Sequence, residues 1–462
     1  RETSDVPRVR EKRSPRSQFC EMRSAVVWVV LFSERVLSFV LRSPAREPLL
    51  LRKGRQEGAR VVLHAQERRE SYEEEEPVLE DWRAFRARMI RDGLPTIESV
   101  GERERETDEA SSEPPPKREL QVLDPENLAL ATSQTPALAE ELKECWAHEL
   151  AFPEVGSLLV RNPLEVQLAK APKESYWGRR VREFGKSREE DWFAADPVGA
   201  YEAAAALLKA ELERIATKGT VDSSGRLVVD ASSLTSAERA LLDTRQKYLD
   251  TWQEVLLVVD RNAETGAFSG VVLNRPAAQR SNGRLSAAIC SALAKDQPGL
   301  PPPDAAAFQN AFGARMGSYV GCSVATEERA IFLSPVPLDG AREISPGLGI
   351  YRGGAAAAIE QVANAERDPF DFKLFLGSYD WKPGELEARV RDNVYQPLAV
   401  SRAIVLKQCI NLPRPFWHEL CEILGGGTAD ISRLEYAKRV DSSSSSGSSS
   451  SSSGGDANSS SS

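Results

Sequence analysis

The sequence predicts an α+β fold, and three observations carry that prediction. EVLLVVD at 254–260 is an unbroken apolar run, the pattern of a strand buried on both faces. FSGVVLNRP at 268–276 follows it across the turn RNAETGA and is closed by Pro276, which gives an antiparallel hairpin. Helix start and stop signals are interleaved with further short strands on both sides of that hairpin. Strands and helices mixed around an antiparallel pair argue for α+β or mixed α/β rather than a regular parallel sheet.

Taken in order, ALAEELKECWAHEL (137–150) reads as an amphipathic helix and GSLLV (156–160) as a strand. Asp196 then caps a long Ala-rich helix that has Pro197 at its first position. SSGRLVVDASS suggests a short strand or loop, and Thr235 with Glu238 forms a capping box before ERALLDTRQKYL. After the hairpin, AIFL (330–333), GIY (349–351) and FKLFL (372–376) read as strands. Gly353 and Gly354 turn the chain into the helix AAAAIEQVANA. Pro383 opens PGELEARVRDN, and Pro415 opens FWHELCEIL, which Gly425, Gly426 and Gly427 stop.

Composition sets the domain plan. Residues 1–66 form a leader in which AVVWVVLF is the size of a signal h-region and far short of a membrane span. A basic stretch follows (Arg42, Arg46, Arg52, Lys53, Arg55, Arg60), and the pair predicts a plastid-targeting signal, with a cytoplasmic location as the alternative. Residues 67–135 are acidic and proline-bearing and are expected to be a disordered linker, with one short helix around Trp82, Phe85 and Met89. The folded domain is placed at 136–440, and the Ser/Gly tail at 441–462 is expected to be disordered.

GSLLVRNP (156–163), KYLDTWQEVLLVVDRNAETGAFSGVVLNRP (247–276), GSYVGC (317–322), ISPGLGIYRGG (344–354) and DFKLFLGSYDWKPGELEARV (371–390) occur in the order seen in the AlgH (YqgE) family, which this chain resembles. PFWHELCEILGGGTADISRLEYAKR resembles the C-terminal extension of plant and algal plastid members. The chain departs from the family at Val320-Gly321-Cys322, where Gly-Gly-Pro is usual, and at Gly377–Trp381, where Gly-Tyr-x-Gly-Trp is usual. It also carries an Ala-rich helical insert at about 172–246. The resemblance implies a strongly curved, barrel-like sheet with helices packed outside it. It implies no established reaction. Members often carry the label of transcriptional regulator, but no helix-turn-helix or basic stripe supports it here.

The chemistry-bearing residues point to few reactions. The net charge is -9, which argues against a nucleic-acid partner. His64, His148 and His418 lie far apart, and the six cysteines form no CxxC pair, so no metal site or disulfide framework is expected. No Walker motif occurs, and SPGLGIYRGG lacks the spacing of a dinucleotide loop, so no cofactor is expected. Ser378 lacks a nucleophile elbow, and Cys322 has no cationic neighbour in sequence. His418-Glu419 is half a zincin motif with Glu422 where the second His would stand. Asp368, Asp371 and Asp380 suit acid/base work only if they converge, and turn or cap roles explain them equally.

No catalytic residue is therefore assigned. Asn274 and Arg275 are the leading binding candidates, since a guanidinium fork at a strand end either binds an anion or pairs with an acid to pin the loop. The free amides after Gly353 and Gly354 offer a second anion contact, and Trp381 either caps a pocket or sits in the core. A non-enzymatic binding or regulatory role is expected, the partner being an anionic small molecule or another protein. The alternative is a hydrolase-like enzyme acting near Arg275.

Overall fold

The computed structural model describes residues 27–33, 36–41 and 123–444, apart from 188, 190, 222–225, 278–282, 298, 314–315 and 323–328. The helix expected around Trp82, the basic stretch after residue 41 and the tail past residue 444 lie outside these residues. In chain order the strands are β1 Val27–Ser33, β2 Val36–Leu41, β3 Ala147–Glu149, β4 Leu158–Arg161, β5 Gly219–Val221, β6 Arg226–Asp230, β7 Val255–Arg261 and β8 Phe268–Val272. They continue as β9 Gly317–Val320, β10 Ala330–Ser334, β11 Ala341–Glu343, β12 Tyr351–Gly353, β13 Lys373–Leu376, β14 Tyr379–Trp381 and β15 Tyr395–Val400.

Two compact units share these elements. The smaller combines the described residues of Arg1–Leu51 with Glu213–Leu242. Its sheet has the order β2-β1-β6-β5, so the apolar run of the leader is a strand here, with Val29 opposite both Val40 and Val228. The expected capping box is present in this unit. Thr235 donates its backbone N–H to Glu238 at 2.7 Å, and the Glu238 N–H reaches the Thr235 hydroxyl at 3.3 Å.

The larger unit takes in Arg52–Leu212 and Asp243–Ser462 and contains two sheets. One has six strands in the order β14-β8-β7-β4-β15-β3, the other five in the order β11-β12-β10-β13-β9. The hairpin read from the sequence is the β7–β8 pair at the centre of the first sheet. β7 alternates as a doubly covered strand should. Val255, Leu257 and Val259 face one apolar cluster, shared with Ile331, Leu333 and Phe375 of the second sheet, while Leu256 and Val258 face another, built on Trp381 and Leu386. A third cluster lies on the far side of β10 and β13, where Phe332, Phe372 and Leu374 meet the helices Gly283–Asp296, Ala305–Phe312 and Ala355–Ala363.

The α+β class is observed, but the sheets do not close into the barrel-like form that was expected. The chain of β8 runs on past Val272 and meets β9, with Val320 donating to the Arg275 carbonyl and Ala277 to that of Ser318, both at 2.8 Å. That seam is the backbone junction between the two sheets among the described residues. Closure would also require β3 and β11, each paired on one side only, to find a second strand partner. Both are three residues long; β3 lies against the helix Phe416–Leu424, and Arg342 of β11 binds Asp260 instead.

A second difference concerns 137–150. Two short 3₁₀ turns, Pro136–Leu138 and Glu141–Glu144, are followed by β3, which pairs with β15 through Ala147 opposite Val400. Pairing with a strand distant in sequence overrides the helical periodicity. Ahead of residue 136, the helix Pro125–Gln134 is capped by the Asp124 side chain, and its Ala131 is buried in the first cluster.

Candidate functional site

Two of the five binding candidates, Asn274 and Arg275, sit where β7 begins and β8 ends, and Trp381 lies opposite Phe268 at the other end of β8. The Asn274 amide closes the hairpin: its Oδ1 accepts from the Val255 N–H at 3.0 Å, and its Nδ2 donates to the Gln253 carbonyl at 2.7 Å. Gln253 holds a left-handed backbone with φ 51° to present that carbonyl. Arg275 donates from Nη2 to the Asp250 carbonyl at 2.8 Å, and its Nη1 lies 3.5 Å from Glu254 Oε1.

Glu254 is the centre of this arrangement and is fully buried. The Tyr379 hydroxyl donates to Oε1 at 3.1 Å and the Tyr395 hydroxyl to Oε2 at 3.2 Å. Arg161, also buried, places its guanidinium 5.3 Å from the Tyr395 ring centre and 5.8 Å from that of Tyr248. Burial pushes the Glu254 carboxyl above its ordinary range, against the opposing pull of Arg275, the two tyrosine hydroxyls and Arg161. Burial likewise pulls Arg161 below its ordinary value, although Tyr395 and Glu254 favour its charge. The Arg275 side chain is partly exposed, whereas Glu254 is enclosed.

Trp381 sits in the apolar cluster beside this site. It is 4% exposed, and Tyr379 stacks on it at 5.7 Å with the rings 18° apart, so it fixes the ring whose hydroxyl serves Glu254. Gly270 leaves room for the indole: a Cβ there would stand 2.8 Å from both the Trp381 ring and the Leu257 carbonyl.

Gly353 ends β12 in the other sheet and Gly354 is the N-cap of Ala355–Ala363, and the two turn the chain with φ of 96° and 72°. The Gln297 side chain fills the space beside them. It accepts from the Gly354 N–H at 3.4 Å and donates to the Gly340 carbonyl. Nearby charges are matched, since Arg352 binds Asp296 and lies 3.3 Å from Asp260, which also binds Arg342 at 2.6 Å.

The remaining candidates are scattered. Ser378 accepts from Arg329 at 3.2 Å, and Arg329 also binds Asp380. Asp368 and Asp371 cap the turn Pro369–Asp371. His418 is fully buried between Gln253 at 3.0 Å and Ser432 at 2.9 Å. Cys322 is half-buried at the end of β9. No group of His, Cys, Asp and Glu that could hold a metal occurs among the described residues.

Sequence reasoning passed over Glu254, Tyr379, Tyr395 and Arg161. The available signal was a charge set into apolar text: Glu254 heads VLLVVD, and Arg161 follows SLLV. A charged side chain at such a position needs partners, and the Tyr and Arg residues supply them.

The fold and this cluster define an α+β domain of two packed sheets whose central hairpin is pinned around a buried carboxyl. Residues 240–429 match the family described as DUF179, AlgH-like, a span that holds Glu254, the β7–β8 hairpin and all five binding candidates. No curated protein matches the chain. Among solved structures, the chain is similar to the solution structure of the AlgH protein from Pseudomonas aeruginosa, with 22% identity over 40% of this chain and 78% of that one, and a TM-score of 0.23. It is also similar to the crystal structure of a Corynebacterium diphtheriae protein, with 15% identity over 39% of this chain and 82% of that one, and a TM-score of 0.26. Likenesses this slight transfer no function. No helix among the described residues is long and apolar enough to cross a membrane.

Proposed function

We propose that this chain is an AlgH-like binding or regulatory protein without catalytic activity of its own. The observation that carries the reading is the engagement of Arg275: its guanidinium lies between the Glu254 carboxyl and the Asp250 carbonyl and is committed to holding the hairpin. Nucleophiles are poorly placed as well. Burial pushes the thiols of Cys145 and Cys290 up to about 11, and those of Cys409 and Cys421 also upward.

The test screens the full chain by thermal shift against phosphate- and carboxylate-bearing small molecules, in parallel with turnover assays on phosphate and carboxylate esters. Saturable binding without turnover is expected. Turnover abolished by Arg275→Ala would overturn the reading in favour of an enzyme acting on an anionic small molecule near Arg275. The partial exposure of that side chain, 26%, is what favours this second reading.

We also propose a plastid location, which rests on the apolar-then-basic leader pattern at 22–66. Removal of such a leader would take β1 and β2 out of the four-stranded sheet and leave the β5–β6 hairpin. N-terminal peptide mapping of the protein isolated from its own cells tests this. A mature start after residue 41 is expected, and a mature protein that retains β1 would count against it.

A further inference from the structure

A small cavity of about 30 Å³ lies in the larger unit, away from Glu254. It forms where β4 ends, between β15, the helix Phe416–Leu424 and the helix that starts at Gly426. Most of its wall is apolar, with Val166, Trp417 and Ile431 among the lining residues. By this measure a single water needs about 10–15 Å³, so the space exceeds one water and suits a ligand of a few heavy atoms.

Four polar side chains also line it; Asn162 donates to the Asn393 carbonyl at 3.0 Å, and the other three make no hydrogen bond to a described residue. The Lys170 ammonium makes no ion pair or hydrogen bond with a described residue and lies 4.7 Å from the centre of the Phe193 ring. The Gln396 amide and the Thr428 hydroxyl likewise make no hydrogen bond to a described residue. Burial pulls Lys170 below its ordinary value, and Glu149 opposes that only at a distance. An ammonium over an aromatic ring, an amide and a hydroxyl, set around an apolar space with hydrogen-bonding capacity left open, are what a bound anion with a short apolar tail would engage.

We infer that this cavity binds a small monocarboxylate, with Lys170 as the counter-charge, Gln396 and Thr428 as neutral partners, and the apolar tail against Val166, Trp417 and Ile431. One ammonium neutralises one charge. A phosphate dianion would keep an uncompensated charge against apolar walls, which disfavours it. Phe193 belongs to the helix Trp192–Ala195 inside the inserted segment, and Ile431 to the helix Gly426–Ser444. Val166, Tyr201 and Ile431 form one apolar cluster with Phe193 against it, so the first part of the insert supplies a wall of the site. The site is separate from Arg275 and does not depend on the reading of that residue.

Isothermal titration of the full chain with sodium propionate, beside inorganic phosphate, tests the assignment. Propionate is expected to bind with one site per chain. Lys170→Gln should weaken it about tenfold or more, the usual scale for losing a charged hydrogen-bond partner, and Lys170→Arg should keep it. Lys170 is partly exposed at the end of the helix Leu164–Ala169, so these variants leave the core intact. Absence of propionate binding, tighter binding of phosphate, or unchanged propionate affinity in Lys170→Gln would each overturn the assignment.

Discussion

Glu254 and Arg275 lie 3.5 Å apart, the carboxyl fully enclosed and the guanidinium 26% exposed. Arg275 is therefore the charged partner through which the buried acid reaches the surface. Arg275→Ala should destabilise the protein by about 1–3 kcal/mol, because it strips a charge partner from a buried group that keeps its tyrosines. The sign of the pH dependence follows from burial, which places the folded Glu254 above its ordinary range. Over the interval between the unfolded and folded values the folded state binds more protons, so stability falls as pH rises through it. Removing Arg275 moves the folded value further up. Thermal melts at pH 5 and pH 7 should show the larger loss at pH 7, and equal losses at both would show that the two side chains are not coupled.

Thr235 and Glu238 make a reciprocal cap, and Lys218 and Arg214 also bind Glu238, at 2.8 and 2.7 Å. Burial would raise this carboxyl, but Lys218, Thr235 and Arg214 outweigh it and hold it down at about 2. The stabilisation is then complete above the ordinary carboxylate value and is lost as pH falls towards 2. Glu238→Gln should be less stable than the parent at pH 7, and the gap should close on acidification. Thr235→Ala should cost about 1 kcal/mol in urea unfolding, the usual worth of an N-cap. A pH-independent gap for Glu238→Gln would contradict the assigned charge pairing.

What could be read from the sequence was local in origin. The β7–β8 hairpin, the Thr235–Glu238 cap and the helix between Pro415 and Gly425 each rest on neighbours in the chain, and all three are present. The segment 137–150 misled because Ala147–Glu149 takes its structure from β15, which no local pattern encodes. The site shows the same division. Asn274 and Arg275 stand out in the text, but whether the guanidinium is free depends on Glu254, and the state of Glu254 depends on Tyr379 and Tyr395 from distant strands. The sequence marks the residue types, and long-range packing decides which groups remain available.

Gly353 and Gln297 offer a direct check on the second candidate region. A Cβ at Gly353 would meet Gln297 Nε2 at 1.8 Å, and the backbone there has φ 96°. Gly353→Ala should therefore destabilise by roughly 1–3 kcal/mol, from strain and from the displaced amide together. In Gln297→Ala the steric part disappears and only the backbone strain remains, so the same glycine substitution should cost measurably less. If the cost is the same in both backgrounds, the two residues are not in contact.

Cysteine reactivity should follow enclosure. Cys145, Cys290, Cys409 and Cys421 are buried with raised thiol values, whereas Cys322 is half-buried. Iodoacetamide labelling of the native protein, read by peptide mass spectrometry, should modify Cys322 well before these four, since the thiolate is the reacting form. Early modification of Cys409 or Cys421 would mean that the core around the helix Phe416–Leu424 opens readily.

Lys373 is fully enclosed in β13, where its ammonium donates to the Val405 carbonyl at 2.8 Å and lies 5.0 Å from the Tyr319 ring centre. No carboxylate among the described residues pairs with it; burial pulls its value from 10.5 down to about 8, and the nearby Lys407 charge acts in the same direction. Below pH 8 the folded and unfolded chains both hold the proton, and the folded state bears the full penalty of an unpaired buried charge. Between pH 8 and 10.5 the unfolded chain keeps a proton that the folded chain has released, so this residue makes stability rise with pH by about 3 kcal/mol across the window. Lys373→Met lacks that rise, although it leaves the Val405 carbonyl unpaired by an amount that does not depend on pH. Urea unfolding of both proteins at pH 7.5 and pH 10 should therefore show the parent gaining on the variant as pH increases. Parallel stability profiles would show that Lys373 keeps its proton in the folded state, and the buried ammonium would then need a partner beyond Val405.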